Sequence, residues 1–296
     1  MSDVLEFLSP EVRLTHTRHG LMLYPALDRF VGRCLEAYGE YCPEEGKAFS
    51  QLLKPGDVVV EAGANIGSHT LHMSKIVGAT GSIYAFEPQR PVFQLLCANM
   101  ALNAVSNVHA RQQPPCDPSA PRTCLNAVSN VHARQQGMGA TPDVMWVTPP
   151  PVGAYANFGG IALKAEGRER VDIVTIDSLA LERLDLIKID VEGMEEAVLR
   201  GGADTIKRLR PKLYLENDPG EDLEKSASLI RYVRELGYRA WWHLPALFSP
   251  ENFRNFQQHL YDQNVVSINM LCVRDDEDIK TNYLEVGDEH DRPSLD

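Results

Sequence analysis

The sequence predicts an α/β fold, a doubly wound and mostly parallel sheet that ends in an antiparallel hairpin. Three observations carry this reading. A short β-branched run, VVVEA (58–62), leads into residues at helical spacing. The same strand–helix rhythm then returns along most of the chain, as it does when helices wrap both faces of a parallel sheet. The last two strand-like segments lack a full crossover helix between them, so they should pair antiparallel at one edge.

Residues 1–54 precede the rhythm and show weak periodicity, read as an N-terminal helical extension. Its stretch 26–53 holds room for a helix or two before the turn at Pro55-Gly56. The main domain is expected over 55–274. In it, VVVEA is apolar enough for a strand covered on both faces. Ile66, Thr70, Met73 and Val77 recur at helical spacing, and Gly78 and Gly81 bracket a turn into a second strand, SIYAFEP (82–88). Val92, Leu96 and Met100 form the stripe of a helix over 90–101. Beyond lie LDLIKID (184–190), a helix over 192–207, PKLYLEN (211–217) and a helix over 222–236 stopped by Gly237. YRAWWHL (238–244) and NVVSINMLCVR (264–274) supply the hairpin, and the acidic tail 275–296 is expected to be loose.

Composition narrows the function. At 296 residues and 44% apolar, the chain can bury a sizeable core. Its net charge of −12 argues against a nucleic-acid backbone as partner, and GRER (167–170) is a short basic patch. No apolar run approaches the ~20 residues of a membrane span. The N-terminal MSDVLEFLSPEVRLTH lacks the basic and apolar segments of a signal peptide. A cytoplasmic protein is expected, with cysteines 34, 42, 97, 116, 124 and 272 as free thiols rather than metal ligands.

One feature is abnormal. LNAVSNVHARQQ occurs at 102–113 and again, identically, at 125–136, an offset of 23 residues. Stacked repeat folds need three or more repeats. Two copies inside an otherwise complete fold read as a recent tandem duplication. Only one SNVHA can occupy the third strand, so the other must be extruded.

The turn VEAGANIGSHT (60–70) carries the chemistry. A strand, a glycine-rich turn and a helix N-terminus form a site for a nucleotide-like ligand. Gly63 permits the sharp turn, Gly67 the close approach of the helix, and Asn65 tolerates a left-handed backbone between them. The pattern is E-x-G-x-N-x-G, not the dinucleotide G-x-G-x-x-G. Glu61 would repel a pyrophosphate and welcome an ammonium or sulfonium. Glu87 closes the second strand, 20 residues past Gly67, where an acid accepts from ribose hydroxyls. Either acid alone would serve equally well as a solvated strand end. Together they describe S-adenosylmethionine, and Glu61, Gly63, Ala64, Asn65, Gly67, Glu87 and Asp190 make up the candidate cofactor set.

VEAGANIGSHTL, YAFEPQ, LIKIDVEGMEEAVLRGG and PKLYLEND, taken together, resemble the FkbM family of S-adenosylmethionine-dependent methyltransferases, from about Asp57 to Arg274. The resemblance implies a seven-stranded sheet with a reversed final strand, and O-methylation of a sugar or polyketide hydroxyl. A nicotinamide-dependent dehydrogenase, or a binding protein inactivated by the duplication, are the alternatives.

Methyl transfer to a hydroxyl needs a placed oxygen and a group to take its proton. Candidates come from strand ends on the ligand side of the sheet. Asp190 should face the methyl group, and Glu192 should cap the following helix. Lys188, on the same strand face as Asp190, is either a base or its ion-pair partner. His243 has the titration range of a base. Glu216, Asn217, Trp242 and Asn157 are the candidate acceptor contacts, with Trp241-Trp242 suited to stacking on a sugar. A divalent metal across Asp190 and Glu216 has no ligand spacing that demands it, and none is expected.

Overall fold

The computed structural model describes residues 4–5, 11–105, 131–151, 153–218, 222–261 and 267–293. The chain opens with strands β1 (Val4–Leu5), β2 (Val12–Thr17) and β3 (Gly20–Pro25), then helices α1 (Val31–Tyr38) and α2 (Pro43–Leu52). Strand β4 (Val58–Ala62), helix α3 (Ser68–Val77), β5 (Ser82–Phe86) and α4 (Arg90–Leu102) begin the alternation. After β6 (Val131–Arg134) come the short strands β7 (Gly137–Met138), β8 (Asp143–Val147) and β9 (Glu169–Val174). Then follow β10 (Leu186–Ile189), α5 (Glu195–Arg200), α6 (Ala203–Leu209), β11 (Lys212–Glu216) and α7 (Leu223–Glu235). The described elements end with β12 (Tyr238–His243), β13 (Asn269–Arg274) and β14 (Leu284–Glu285).

The main sheet is mixed, with order β14-β12-β13-β11-β10-β4-β5-β6. β6, β5, β4, β10 and β11 run parallel, whereas β13 runs antiparallel to both β11 and β12. The α/β class and the reversed strand match the sequence reading, but the sheet has eight strands rather than seven. The extra one, β14, comes from the stretch expected to be loose. It pairs with β12 at Trp241 and Trp242, and Arg234 donates to the backbone oxygens of Val286 and Gly287 to hold it there.

Alternation in the strands builds two cores. Val59, Ile83, Ala85 and Leu186 face α1–α4, whereas Val60, Ala62, Ile187 and Ile189 face α5–α7. The helix expected over 192–207 is broken into α5 and α6 at Gly201-Gly202. There the backbone passes so close to Gly139 that a Cβ on Gly201 would lie 2.0 Å from the Gly139 oxygen. The N-terminal segment is not helical throughout, because β1–β3 form their own antiparallel sheet. The exposed edge of β3 is satisfied by two asparagines one turn apart on α4. The Asn99 side chain exchanges hydrogen bonds with the Leu23 backbone, and the Asn103 side chain does the same with Leu21. A side-chain amide here takes the place of a neighbouring strand.

The duplication is divided between two elements. Leu102 and Asn103, from the first copy, end α4, and Val131–Arg134, from the second copy, form β6 beside β5. The third strand is therefore the second copy's; the first copy's SNVHA lies outside the described residues. Deleting residues 106–128 keeps both used halves and yields the same sequence as deleting 114–136. A longer link costs little, about 0.6 kcal/mol per doubling of loop length. The deletion variant should melt at the same temperature or higher, measured by thermal unfolding. A drop in melting temperature would show that the insert contributes to the fold.

Candidate functional site

The turn after β4 is built as the sequence suggests. Gly63 sits at φ +82°, and a Cβ there would lie 1.7 Å from the Asp190 backbone oxygen. Gly67, at φ +87°, leaves room for Leu96, whose Cδ1 would be 2.5 Å from an added Cβ. Asn65 takes φ +51° between them. The Gly63 and Ala64 amides both donate to the Phe86 carbonyl, at 3.0 Å, which pins the turn to the end of β5. Glu87 completes that link by accepting from the Asn65 amide (3.0 Å) and the Gln89 amide (2.8 Å). Burial pushes the Glu87 carboxyl up to about 7, against the two amides that favour its ionised form.

Beneath the turn runs a buried polar row. Strand register sets Lys188 of β10 beside Glu61 of β4 on one side and Tyr214 of β11 on the other. Thr70 Oγ1 donates to Glu61 Oε2 at 2.6 Å, but Glu61 Oε1 is buried without a hydrogen-bond partner. Burial raises the Glu61 carboxyl above its usual range, partly offset by Lys188. The Lys188 ammonium lies 3.2 Å from Asp190 Oδ2 and 3.9 Å from Glu61 Oε1. Burial alone would lower its pKa, yet Asp190, Glu61 and Glu45 together hold it above the ordinary lysine range. This contradicts Lys188 as a base, because the base would have to be neutral. It is the ion-pair partner.

Above the row lies a cavity of about 220 Å³ bordered by Glu61, Gly63, Asn65, Glu87, Asp190 and Glu216. Asn157, Gly159 and Gly160 close it from a loop tied down by Gln89, whose side chain donates to the Phe158 oxygen at 2.7 Å. A smaller cleft of about 40 Å³ opens past Glu87, lined by Phe86, Met138, Ile161 and Met194. Carboxylate oxygens of Asp190, Glu192 and Glu216 come within 4.8 Å of one another. Burial first, and then the neighbouring acids, push Glu192 up to about 7 and Glu216 well above its usual range. Glu192 does not cap the helix. It sits in a left-handed backbone (φ +53°) before α5, and Glu195 accepts from the Gly193 amide instead.

Two expected acceptor contacts, Trp242 and Asn217, and the candidate base His243 lie elsewhere. Trp242 is buried among the α5–α7 core, with Nε1 3.4 Å from Asp291. The Asn217 side chain is buried and donates to the Met270 sulfur. His243 is enclosed between Tyr214, 2.7 Å from its Nδ1, and the stacked Tyr283 ring. Burial lowers its pKa, and it does not border the cavity. For Trp242 and His243 the alternation of β12 is the cause: each side chain of a strand covered on both faces turns inward. The sequence reading missed Tyr41 and His69, which do border the cavity, and Glu45, whose Oε2 lies 2.5 Å from His69 Nε2. A polar residue in the first turn after the glycines was the available signal for His69.

Replacing Lys188 with Met would strand these acids without a cation in a buried site. Such losses cost about 3–5 kcal/mol. Urea denaturation of Lys188→Met should show a loss of that order, and a wild-type midpoint would remove Lys188 from its balancing role.

No helix among the described residues is long and apolar enough to cross a membrane. A comparison with curated proteins gives no match. Among solved structures, the chain is similar to a methyltransferase FkbM from Methylobacillus flagellatus, with 14% identity and a TM-score of 0.42. That alignment covers 77% of this chain and spans half of the other. It is also similar to an S-adenosylmethionine-dependent O-methyltransferase from Thermotoga maritima, with 11% identity, 90% and 79% of the two chains covered, and a TM-score of 0.42. Aeropyrum pernix fibrillarin with bound S-adenosylmethionine gives 13% identity, 92% and 99% coverage, and a TM-score of 0.42. The methyltransferase FkbM domain matches residues 61–240, from the acid of the glycine turn into β12. With more than half of its length in that match, the chain belongs to the FkbM family of methyltransferases, whose cofactor is S-adenosylmethionine.

Proposed function

We propose that the chain transfers a methyl group from S-adenosylmethionine to a hydroxyl of a small molecule, of sugar or polyketide type. The observation that carries the cofactor side is Glu61 at the cavity border, whose buried Oε1 makes no hydrogen bond and has only the Lys188 ammonium, 3.9 Å away, beside it. An isolated carboxylate oxygen is costly to bury, and an ammonium donor would satisfy it. The residues thus fit the cofactor: Glu61 for its amino group, Glu87 for its ribose, and the Phe86–Met138–Met194 cleft for its adenine. When bound, the cofactor supplies a methyl group on a sulfonium. Lys188 holds the acids in place beneath it, and Asp190 and Glu216 border the reacting end. Asn157 closes the loop over it by accepting from the Gly159 amide. Free Cys34, Cys42, Cys97 and Cys272 support the cytoplasmic setting within this reading. Family membership sets the dehydrogenase alternative aside, and turnover tests the inactive one.

Incubation with methyl-labelled S-adenosylmethionine and a panel of methyl glycosides and polyketide alcohols should place label in an ether. Label on nitrogen or carbon, or on no acceptor, would overturn the hydroxyl reading. Glu87→Ala should weaken S-adenosylhomocysteine binding by about 1–3 kcal/mol, because ribose hydroxyls lose their acceptor. Unchanged affinity in a titration would remove Glu87 from the site.

The elevated Glu87 pKa also gives a pH dependence. In the ligand-free fold the carboxyl titrates near 7, above its value of 4.5 when solvated. Its contribution to stability is therefore full below 4.5 and is lost as pH rises through 7. Ribose donors favour the ionised form, so the ligand should bind more tightly as pH rises from 6 to 8, by at most about tenfold. Glu87→Gln should flatten that part of the profile. An equal pH dependence in both proteins would refute the assignment.

A further inference from the structure

A second cavity, of about 420 Å³, lies outside the cofactor site, between the β2–β3 hairpin and helices α2 and α3. It shares Tyr41, Ser68 and His69 with the cofactor cavity, so these three side chains form the neck between the two spaces. We propose that this cavity is the acceptor site, that it takes a neutral polyhydroxyl molecule such as a glycoside, and that His69 receives the proton of the reacting hydroxyl at the neck. This rests on the methyl-transfer reading above and goes beyond it by placing the acceptor and its base.

The lining is chemically suited to hydroxyls. His72 Nδ1 lies 2.9 Å from the His19 ring, and His72 Nε2 lies 2.9 Å from Ser50 Oγ. Two imidazoles in such contact share donors and acceptors rather than charge. Burial, with the neighbouring His72, lowers His19 to about 3, and burial, with His69 beside it, lowers His72 to about 4. Both rings are therefore neutral, each offering one donor and one acceptor. The two cations at the rim are already paired, Arg18 with Glu40 and Lys47 with Glu44. Gln51 adds an amide, and Met22 and Leu35 supply an apolar floor. Glu251 is the one lining charge outside these pairs, and it lies beside the Arg18 guanidinium, so the lining has no cationic site for an anionic ligand.

The neck supplies the chemistry. Glu45 is buried, with its Oε2 2.5 Å from His69 Nε2. With Glu45 Oε2 at His69 Nε2, the other ring nitrogen, Nδ1, is the basic atom available to the neck. Tyr214 and Asn269 also donate to Glu45, so the carboxylate is fixed and the imidazole with it. In the reaction, the hydroxyl oxygen gives a lone pair to the methyl carbon and its proton passes to Nδ1. The pair of the broken carbon–sulfur bond stays on sulfur.

Gly46 permits a clean test. It lies on α2 at the cavity wall, and a Cβ added there would meet nothing within 4 Å. Gly46→Phe should fill the space without strain or any contact with the cofactor site. The probe is methyl α-glucopyranoside, observed by saturation-transfer NMR on the protein with S-adenosylhomocysteine bound. Wild type should give a transfer signal, and Gly46→Phe should lose it while binding S-adenosylhomocysteine within about twofold of wild type. No signal with wild type, or equal signals from both proteins, would overturn the acceptor site. A signal without methylation of any glycoside would leave the docking site standing and refute the hydroxyl-transfer reading instead. Should Gly46→Phe fail to bind S-adenosylhomocysteine, Ser50→Trp fills the same space from the next turn and is held to the same outcomes. His69→Asn should keep the transfer signal but lower the methylation rate at saturating S-adenosylmethionine at least a hundredfold. A rate within threefold of wild type would remove His69 as the base.

Discussion

A single buried ammonium balances the polar interior of this protein. Lys188 is 3% exposed, in a strand whose other side chains are apolar, and three carboxylates converge on it from β4, from α2 and from the end of its own strand. The cation offsets the burial of the Glu61 and Glu45 carboxyl groups so close together. With it, the end of β10 carries a fixed negative character that suits an ammonium and a sulfonium. The same charge arrangement is inhospitable to a pyrophosphate. This charge arrangement is set in the sheet, by register, before any loop contributes.

The helices that cover this row transmit it outward. Glu45 reaches from α2 to the strand ends and meets Tyr214, Asn269 and His69. His69 stands in the first turn of α3, directly after the glycines that shape the turn. One helix start therefore serves both sides of the neck: its backbone turn shapes the cofactor cavity, and its first polar side chain borders the larger space. The β2–β3 hairpin roofs that space only because Asn99 and Asn103 satisfy its edge. Fold and site depend on the same few polar contacts.

Much of this was legible in the sequence where a residue's role is local. VVVEA became β4 with the same bounds, and Glu61, Gly63, Asn65 and Glu87 border one cavity, with Gly67 behind them against Leu96. Local pattern also marked Asp190 as bordering the site. What depended on direction within a doubly covered strand was not legible. Trp242 and His243 end a strand on the ligand side, yet both turn into cores, because no solvent-facing side remains at that position. Glu45 and Tyr41 gave no signal, since their partners lie more than a hundred residues away or across a glycine turn. Glu192 misled for a related reason. Its acid near a helix start suggested a cap, but the backbone enters that helix three residues later.

The duplication sets the last constraint, and its position explains why a fold can carry it. It falls between α4 and β6, and among the described residues β6 is an edge strand paired only with β5. An insertion in a central strand would have to pass between neighbours that are bonded on both sides. At the edge, the sheet needs only one strand of the right pattern, and either copy would present identical residues to β5. The choice is made by what each copy is joined to. Asn103 is held against Leu21 as the end of α4, and the Arg134 oxygen accepts from the Glu87 amide beside the candidate ribose acid. The first copy's beginning and the second copy's end are each fixed by a contact outside the repeat. The surplus is thereby confined to what lies between them.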